Sequence, residues 1–196
     1  FFNQMAPVTN STVSGNNFTD TGIAVYLGSG SSNTDTIAVS NNTFTSNKGH
    51  SSGLYGAIAI TSEVDGVNTQ NITITGNTFT GSQVAAAITI FDSVNATVPN
   101  VIGSTITINS NKFNGDNFGG INIGDGVSGS IDASQNWGGT ASGPGGSGPG
   151  SGDAVTANVT FDPWCVDASC TPPAAPTITS VADDTGSSTS DGITND

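Results

Sequence analysis

The chain has no arginine, two lysines and one histidine, against 15 acidic residues, for a formal net charge of −13. A nucleic-acid binder needs cationic groups to displace counterions from phosphate, so that class is excluded as a partner. Anionic membrane surfaces are disfavoured for the same reason. Charged residues of both signs make up only 9% of the chain. No apolar run approaches the roughly 20 residues that span a bilayer, so membrane insertion is not expected. Phe1-Phe2-Asn3-Gln4 is not a basic segment leading into an apolar one, so no signal peptide is read. The chain reads as starting inside a longer protein. Its acidity first means solubility, and secondly offers calcium, the one cofactor the composition suggests.

What is present is glycine, 27 residues of it, with abundant Ser, Thr and Asn. Low charge and a modest apolar fraction suit a disordered chain, but disorder usually brings high charge or simple repeats. Here Ile, Val and Phe recur in short alternating runs, the period-two signal of strands with one buried face.

Those runs belong to an internal repeat. The pattern aliphatic–small polar–any–Asn–any–Phe occurs at Val13–Phe18, Val39–Phe44, Ile74–Phe79 and Ile108–Phe113. A worn copy, Ala133-Ser134-Gln135-Asn136-Trp137, is one residue shorter and has Trp in place of Phe. First residues of successive copies lie 26, 35, 34 and 25 positions apart. A second short strand follows each of the first four: Ile23-Ala24-Val25, Ile58-Ala59-Ile60, Ile88-Thr89-Ile90 and Ile121-Asn122-Ile123. The longer repeats carry extra polar residues at Asn47–Tyr55 and Ser93–Ser104, as variable loops on a solenoid do.

One repeat cannot bury its apolar face alone, but stacked repeats bury it continuously. Stacking at about 4.8 Å places like on like. Val13, Val39, Ile74 and Ile108 then form one column, and Phe18, Phe44, Phe79 and Phe113 an aromatic stack. Asn16, Asn42, Asn77, Asn111 and Asn136 form a third. Asn tolerates the left-handed turn conformation, and its amide both donates and accepts, so the five are expected to form a hydrogen-bonded ladder. The fold expected is all-β, a right-handed parallel β-helix.

Together these residues resemble the right-handed parallel β-helix proteins of the pectate-lyase-like superfamily, over about residues 8–165. The closing segment is the strongest match. Asn136-Trp137-Gly138-Gly139, Ser142-Gly143-Pro144 and Phe161-Asp162-Pro163-Trp164 resemble the end of many secreted bacterial members. Gly138 stands where those members often have a second Trp, and the loop Gly143–Gly152 is unusually rich in glycine. An open solenoid end exposes strand edges, and Trp137 and Trp164 are expected to cap it. Sugar stacking is the functional alternative for those rings. Cys165 and Cys170 are expected to pair as a disulfide in an oxidising compartment.

The division expected is coils and cap over 1–170, a Pro-rich linker over 171–176, and a short acidic segment over 177–196. Thr177-Ile178-Thr179-Ser180-Val181 and the aspartates after it resemble the start of a bacterial immunoglobulin-like repeat. That resemblance implies calcium-binding aspartates at repeat junctions, and a solvated tail is the simpler reading.

Relatives of this fold cleave acidic polysaccharides. The resemblance implies a basic residue with acids in the lyases, and Asn-Thr-Asp, Asp-Asp and Gly-His-Gly motifs in the hydrolases. Here Lys48 lies in an insertion and Lys112 in the repeat turn. Asn33-Thr34-Asp35 and Gly49-His50 appear, but Ser51 follows His50 and the basic motif is missing. Asp92, Asp125 and Asp132 are the remaining acids that could share an outer face. No catalytic residue is assigned. The function expected is a non-catalytic structural or adhesive module of a secreted or cell-surface protein, with a polysaccharide or cell-surface glycan as its partner. The alternative is a lyase, hydrolase or epimerase whose active site lies on coils upstream of this chain. Asn-x-Ser/Thr triplets such as Asn71-Ile72-Thr73 and Asn158-Val159-Thr160 are common by chance in such a composition.

Overall fold

A computed structural model describes residues 8–170, apart from 31, 51–54, 84, 95–97 and 117–118. The linker and acidic segment expected over 171–196 lie outside the described residues. The described chain is all-β, with its strands paired in parallel across three sheets, an arrangement compatible with a β-helix. The first sheet contains Val8–Ser14, Thr34–Ser40, Thr69–Thr75, Ile106–Asn109, Ile131–Asp132 and Val159–Thr160. The second contains Asn17–Thr19, Thr43–Thr45, Thr78–Thr80 and Lys112–Asn114. The third contains Val25–Ser29, Ile58–Ser62, Ile88–Asp92, Ile121–Ile123, Gly152–Val155 and Pro144–Gly146. The chain visits the three in turn, each return lying one strand further along until the end of the third sheet, where Gly152–Val155 pairs between Ile121–Ile123 and the earlier strand Pro144–Gly146.

The strands form where β-branched residues alternate with small polar ones. In Thr69–Thr75, Ile72 and Ile74 are buried while Asn71 and Thr73 face out. The register sets Val13, Val39, Ile74 and Ile108 opposite one another, and Ala38, Thr73, Thr107 and Asp132 on the outer surface. Phe18, Phe44, Phe79 and Phe113 stack with centroids 5.1, 4.7 and 5.1 Å apart and planes within 12°. Parallel rings at strand spacing follow from the backbone repeat, which places each ring above its equivalent.

The five Asn residues are joined by side-chain hydrogen bonds. Asn16, Asn42, Asn77 and Asn111 each donate from Nδ2 to Oδ1 of the next, at 3.0–3.1 Å. Each also donates its backbone N–H to that oxygen at 2.9 Å. The second Nδ2 hydrogen of Asn42, Asn77 and Asn111 goes to a strand carbonyl of the preceding turn: Val13, Val39 and Ile74. These amides are buried, and they satisfy backbone groups that no sheet reaches at the corner.

Three sequence expectations change. The left-handed turn residue is not the Asn itself. It is the residue before it: Gly15, Asn41, Gly76, Ser110 and Gln135 all have φ between 55° and 68°. This frees the Asn side chain to point inward. At Gly76 a Cβ would sit 2.6 Å from Asn41 Oδ1, so a larger residue there would have to displace that side chain, while Asn41, Ser110 and Gln135 fill the equivalent position at other corners. The first strand of the third sheet is Val25–Ser29, two residues later than expected, with Val25 opposite Ile58 and Leu27 opposite Ile60. Tyr26 therefore takes the outer position that Ala24 was expected to hold, with Val25 and Leu27 buried on either side of it. Trp137 bridges to Lys112, not to the Phe column. Buried Gly138 takes the position of the missing Phe.

Replacing Asn77 with Leu should destabilise the fold by at least about 3 kcal/mol, since it strands the Asn42 N–H, the Asn42 amide and two carbonyls. Urea unfolding of Asn77→Leu against Thr73→Ser, which faces solvent, measures this; a difference under about 1 kcal/mol would mean that the amides are bystanders.

Candidate functional site

The outer face of the third sheet carries the chain's exposed aromatic cluster. Tyr26, Ala59, Thr89 and Asn122 share one register position. Thr61 and Phe91 share another, two residues along. Tyr55 adjoins this face. Its ring lies 6.0 Å from Tyr26 and 5.2 Å from Phe91, meeting the latter edge-on at 73°. His50 abuts Tyr55 edge-on at 5.6 Å, and its N–H donates to the Tyr55 carbonyl. The ring lies between Tyr26 and Phe91, above Ile58–Ser62. There the outward Ala59 and Thr61 are small enough to accept it, and both are fully buried. Tyr26 donates its hydroxyl to Glu63. Burial, then this bond, pushes its phenol above the ordinary value. Tyr26, Tyr55 and Phe91 remain half-buried, with the exposed Glu63 bonded to Tyr26.

The outer face of the first sheet is polar. Asn10, Thr36 and Asn71 sit at one register with φ of 52–57° and interrupt the pleat. The break leaves a shallow depression of about 310 Å³ bordered by Asn10, Thr12, Thr36, Ala38, Asn71 and Thr73. Left-handed backbone is strained for β-branched Thr36. Its hydroxyl donates to Asp35, which also accepts from Gln70 and Asn71. The Gln70 amide first, then Asn71 and Thr36, hold the Asp35 carboxyl below the usual carboxylate range. These three donors tie the carboxylate into the sheet surface.

The remaining Asn-Thr-Asp members are structural: Thr34 is buried and donates to the Gly28 carbonyl, and Asn33 accepts from the Asn68 N–H. Asp92 and Asp125 are neighbours through the Asp92 N–H to the Asp125 carbonyl. The Asp92 carboxylate accepts from the backbone N–H groups of Val94 and Asn100, one on each oxygen. Asp132 lies on a different sheet and caps Ser134. The structure therefore does not assemble these three acids. Lys48 pairs with Asp20 at 2.8 Å, and both are exposed. Among the described residues no three His, Cys, Asp or Glu side chains gather as a metal site would require. No described helix is long and apolar enough to cross a membrane.

One polar column has no counterpart in the sequence reading. Five residues beyond each corner Asn come Thr21, Asn47, Ser82 and Asp116. Thr21 donates to Asn47; the Ser82 N–H donates to Asp116 at 2.7 Å, and the Asp116 N–H to Asp153 at 3.1 Å. The signal was the fixed offset of five, hidden because the residue type changes at every step.

Beyond Asp153 lies the C-terminal cap. Pro144 pairs in parallel with Gly152, only eight residues on. Parallel neighbours usually need a longer crossover. Here added Cβ atoms at Gly148, Gly150 and Gly152 would meet backbone carbonyls at 2.2–2.5 Å, so glycine alone permits the tight winding. Trp164 covers Gly143 and, with Phe161, Pro144 and Phe113, lines a small apolar cavity; its Nε1–H donates to Ala141. Trp137 lies half-buried in the Lys112 column. Cys165 and Cys170 are thiols here, not the expected disulfide, and both sulfurs reach the Gln135 carbonyl, at 3.0 and 3.5 Å. Burial, then Cys170, pushes the Cys165 thiol up to about 12.

The chain matches no family model, no curated protein and no solved structure. Its chemistry is therefore read from its own geometry.

Gly143→Ala should unseat Trp164, because the new Cβ would lie 2.8 Å from the indole and the backbone φ is 94°. We expect a loss of about 1–3 kcal/mol and a red-shifted tryptophan emission. An unshifted spectrum with unchanged stability would show that the indole does not seal this end.

Proposed function

We propose that the chain is a right-handed parallel β-helix of the pectate-lyase-like kind, closed by an Asn ladder and a C-terminal cap. In this reading it is a structural and adhesive module of a secreted or cell-surface protein that holds glycan on its outer face. The observation that carries the reading is the Tyr26–Tyr55–Phe91 cluster. Half-buried aromatic rings on an otherwise small-residue sheet suit the apolar faces of pyranose rings. Glu63 at the rim accepts hydrogen bonds from sugar hydroxyls. The net charge of −13 favours neutral over acidic chains. A structural part for Asp35 and Asp92 is supported by hydrogen bonds that both oxygens of each carboxylate accept from neighbouring donors. The segment from 177 onward would begin an immunoglobulin-like repeat, as its sequence resemblance implies.

The test is retention and cleavage on a panel of neutral and acidic polysaccharides, with and without calcium. We expect retention on a neutral glycan without cleavage. Tyr55→Ala and Tyr26→Ala should each weaken it at least tenfold, about 1.4 kcal/mol. Cleavage would make the chain part of an enzyme; neither retention nor cleavage would leave a rigid spacer.

An extracellular location carries a further expectation. Cys165 and Cys170 converge on one acceptor, and oxidation would close a small loop there. Intact mass of the secreted protein without reductant should be two hydrogens lighter than after reduction; equal masses would argue against an oxidising compartment.

A further inference from the structure

The polar column ends on two carboxylates with no cation beside them. Asp116 is 5% exposed, and its Oδ1 accepts the Ser82 N–H at 2.7 Å. Its own N–H donates to Asp153 Oδ1 at 3.1 Å. The second oxygen of each carboxylate is buried without a partner. Two unsatisfied acceptors held together are costly when both groups are ionised. The cavity that Asp153 lines offers no compensating charge: Phe113, Gly120 and Ile121 border it from the strands, and Gly138, Pro144 and Trp164 from the cap, while Asp116 meets the neutral Ser82 N–H. Asn117 and Phe118, next in sequence, are uncharged. Lys112 forms no ion pair among the described residues, where the one salt bridge is Lys48–Asp20. The missing positive charge has one available source, a proton.

We propose that Asp116 and Asp153 form a proton-operated clasp that fastens the C-terminal cap to the turn beneath it, tight when the pair holds a proton and loosened when it does not. Asp116 belongs to the corner after Lys112–Asn114, and Asp153 to the strand Gly152–Val155 of the cap, so the contact is the seam between them. Burial first, then the charge of Asp116, pushes Asp153 up to about 6, and burial raises Asp116 as well. Between the ordinary carboxylate value and about 6 the folded chain holds more protons than the unfolded one. The contribution of the pair to stability is therefore complete at the acidic end of that window and falls as pH rises through it. This is opposite in sign to an Asp held by a cation.

The chain supplies its own reporter. Trp137 and Trp164 are its two tryptophans, and Trp164 lines the same cavity as Asp153. Tryptophan emission of the full chain, titrated from acid to neutral pH, should show a transition near 6. Asp153→Asn, which mimics the neutral carboxyl, should abolish it. That variant should also melt higher than the parent at neutral pH and no higher in acid. Asp116→Asn removes the repelling charge and should move the midpoint downward. His50 is the one histidine of the chain and lies away from the cap, so His50→Gln must leave the transition in place. A transition that survives Asp153→Asn, or vanishes in His50→Gln, would overturn the clasp, as would a melting difference that is the same at both pH values.

Discussion

The corner amides set the constraint on which the rest depends. Each Asn from Asn16 to Asn111 hands two hydrogen bonds to one oxygen of the next, and the buried middle members take a strand carbonyl of the turn behind. These are the backbone groups that a sheet cannot serve, because the chain is turning there. Once the amides are in line, strands on either side are fixed to within one residue. A slip would turn Ile72 and Ile74 outward and bring Thr73 in. The phenylalanine stack then follows at strand spacing.

That regularity makes the irregular parts informative. Three additions depart from the repeat: the Tyr55 ring against the third sheet, the strained Thr36 register on the first, and the glycine winding of the cap. Each is accommodated by small residues beneath it. Ala59 and Thr61 make room for Tyr55, and Gly143 makes room for Trp164. The rigid repeat thus acts as a platform, and the chemistry available to a partner lies in what is laid upon it. The two carboxylates at the cap seam are the exception, since they are buried within the platform and answer to protons instead of to a partner.

Much of the arrangement was legible in the chain. The spacing of Asn16, Asn42, Asn77, Asn111 and Asn136 determined which residues stack, because a residue that serves every corner must recur at every corner. Alternating Ile and Thr determined which faces are buried. The absence of arginine and the net charge of −13 set an electrostatic bias against polyanions. Residue type alone misplaced what depends on local backbone. The left-handed turn was assigned to the Asn because Asn tolerates it, whereas Gly15, Asn41, Gly76, Ser110 and Gln135 carry it. Trp137 was aligned with Phe because both are aromatic, whereas the bridge to Lys112 turns it to another column.

Only the tertiary structure decided the rest, for one physical reason: those features join residues whose chain separation carries no pattern. Tyr26, Tyr55 and Phe91 come from three successive turns and one insertion, and they meet because the register brings Tyr26 outward. Asp116 and Asp153 are brought together by the winding of the cap. The sequence by itself determined the repeat, because every turn must solve the same hydrogen-bonding problem. The structure decided the sites, because each arises where one turn solves it differently.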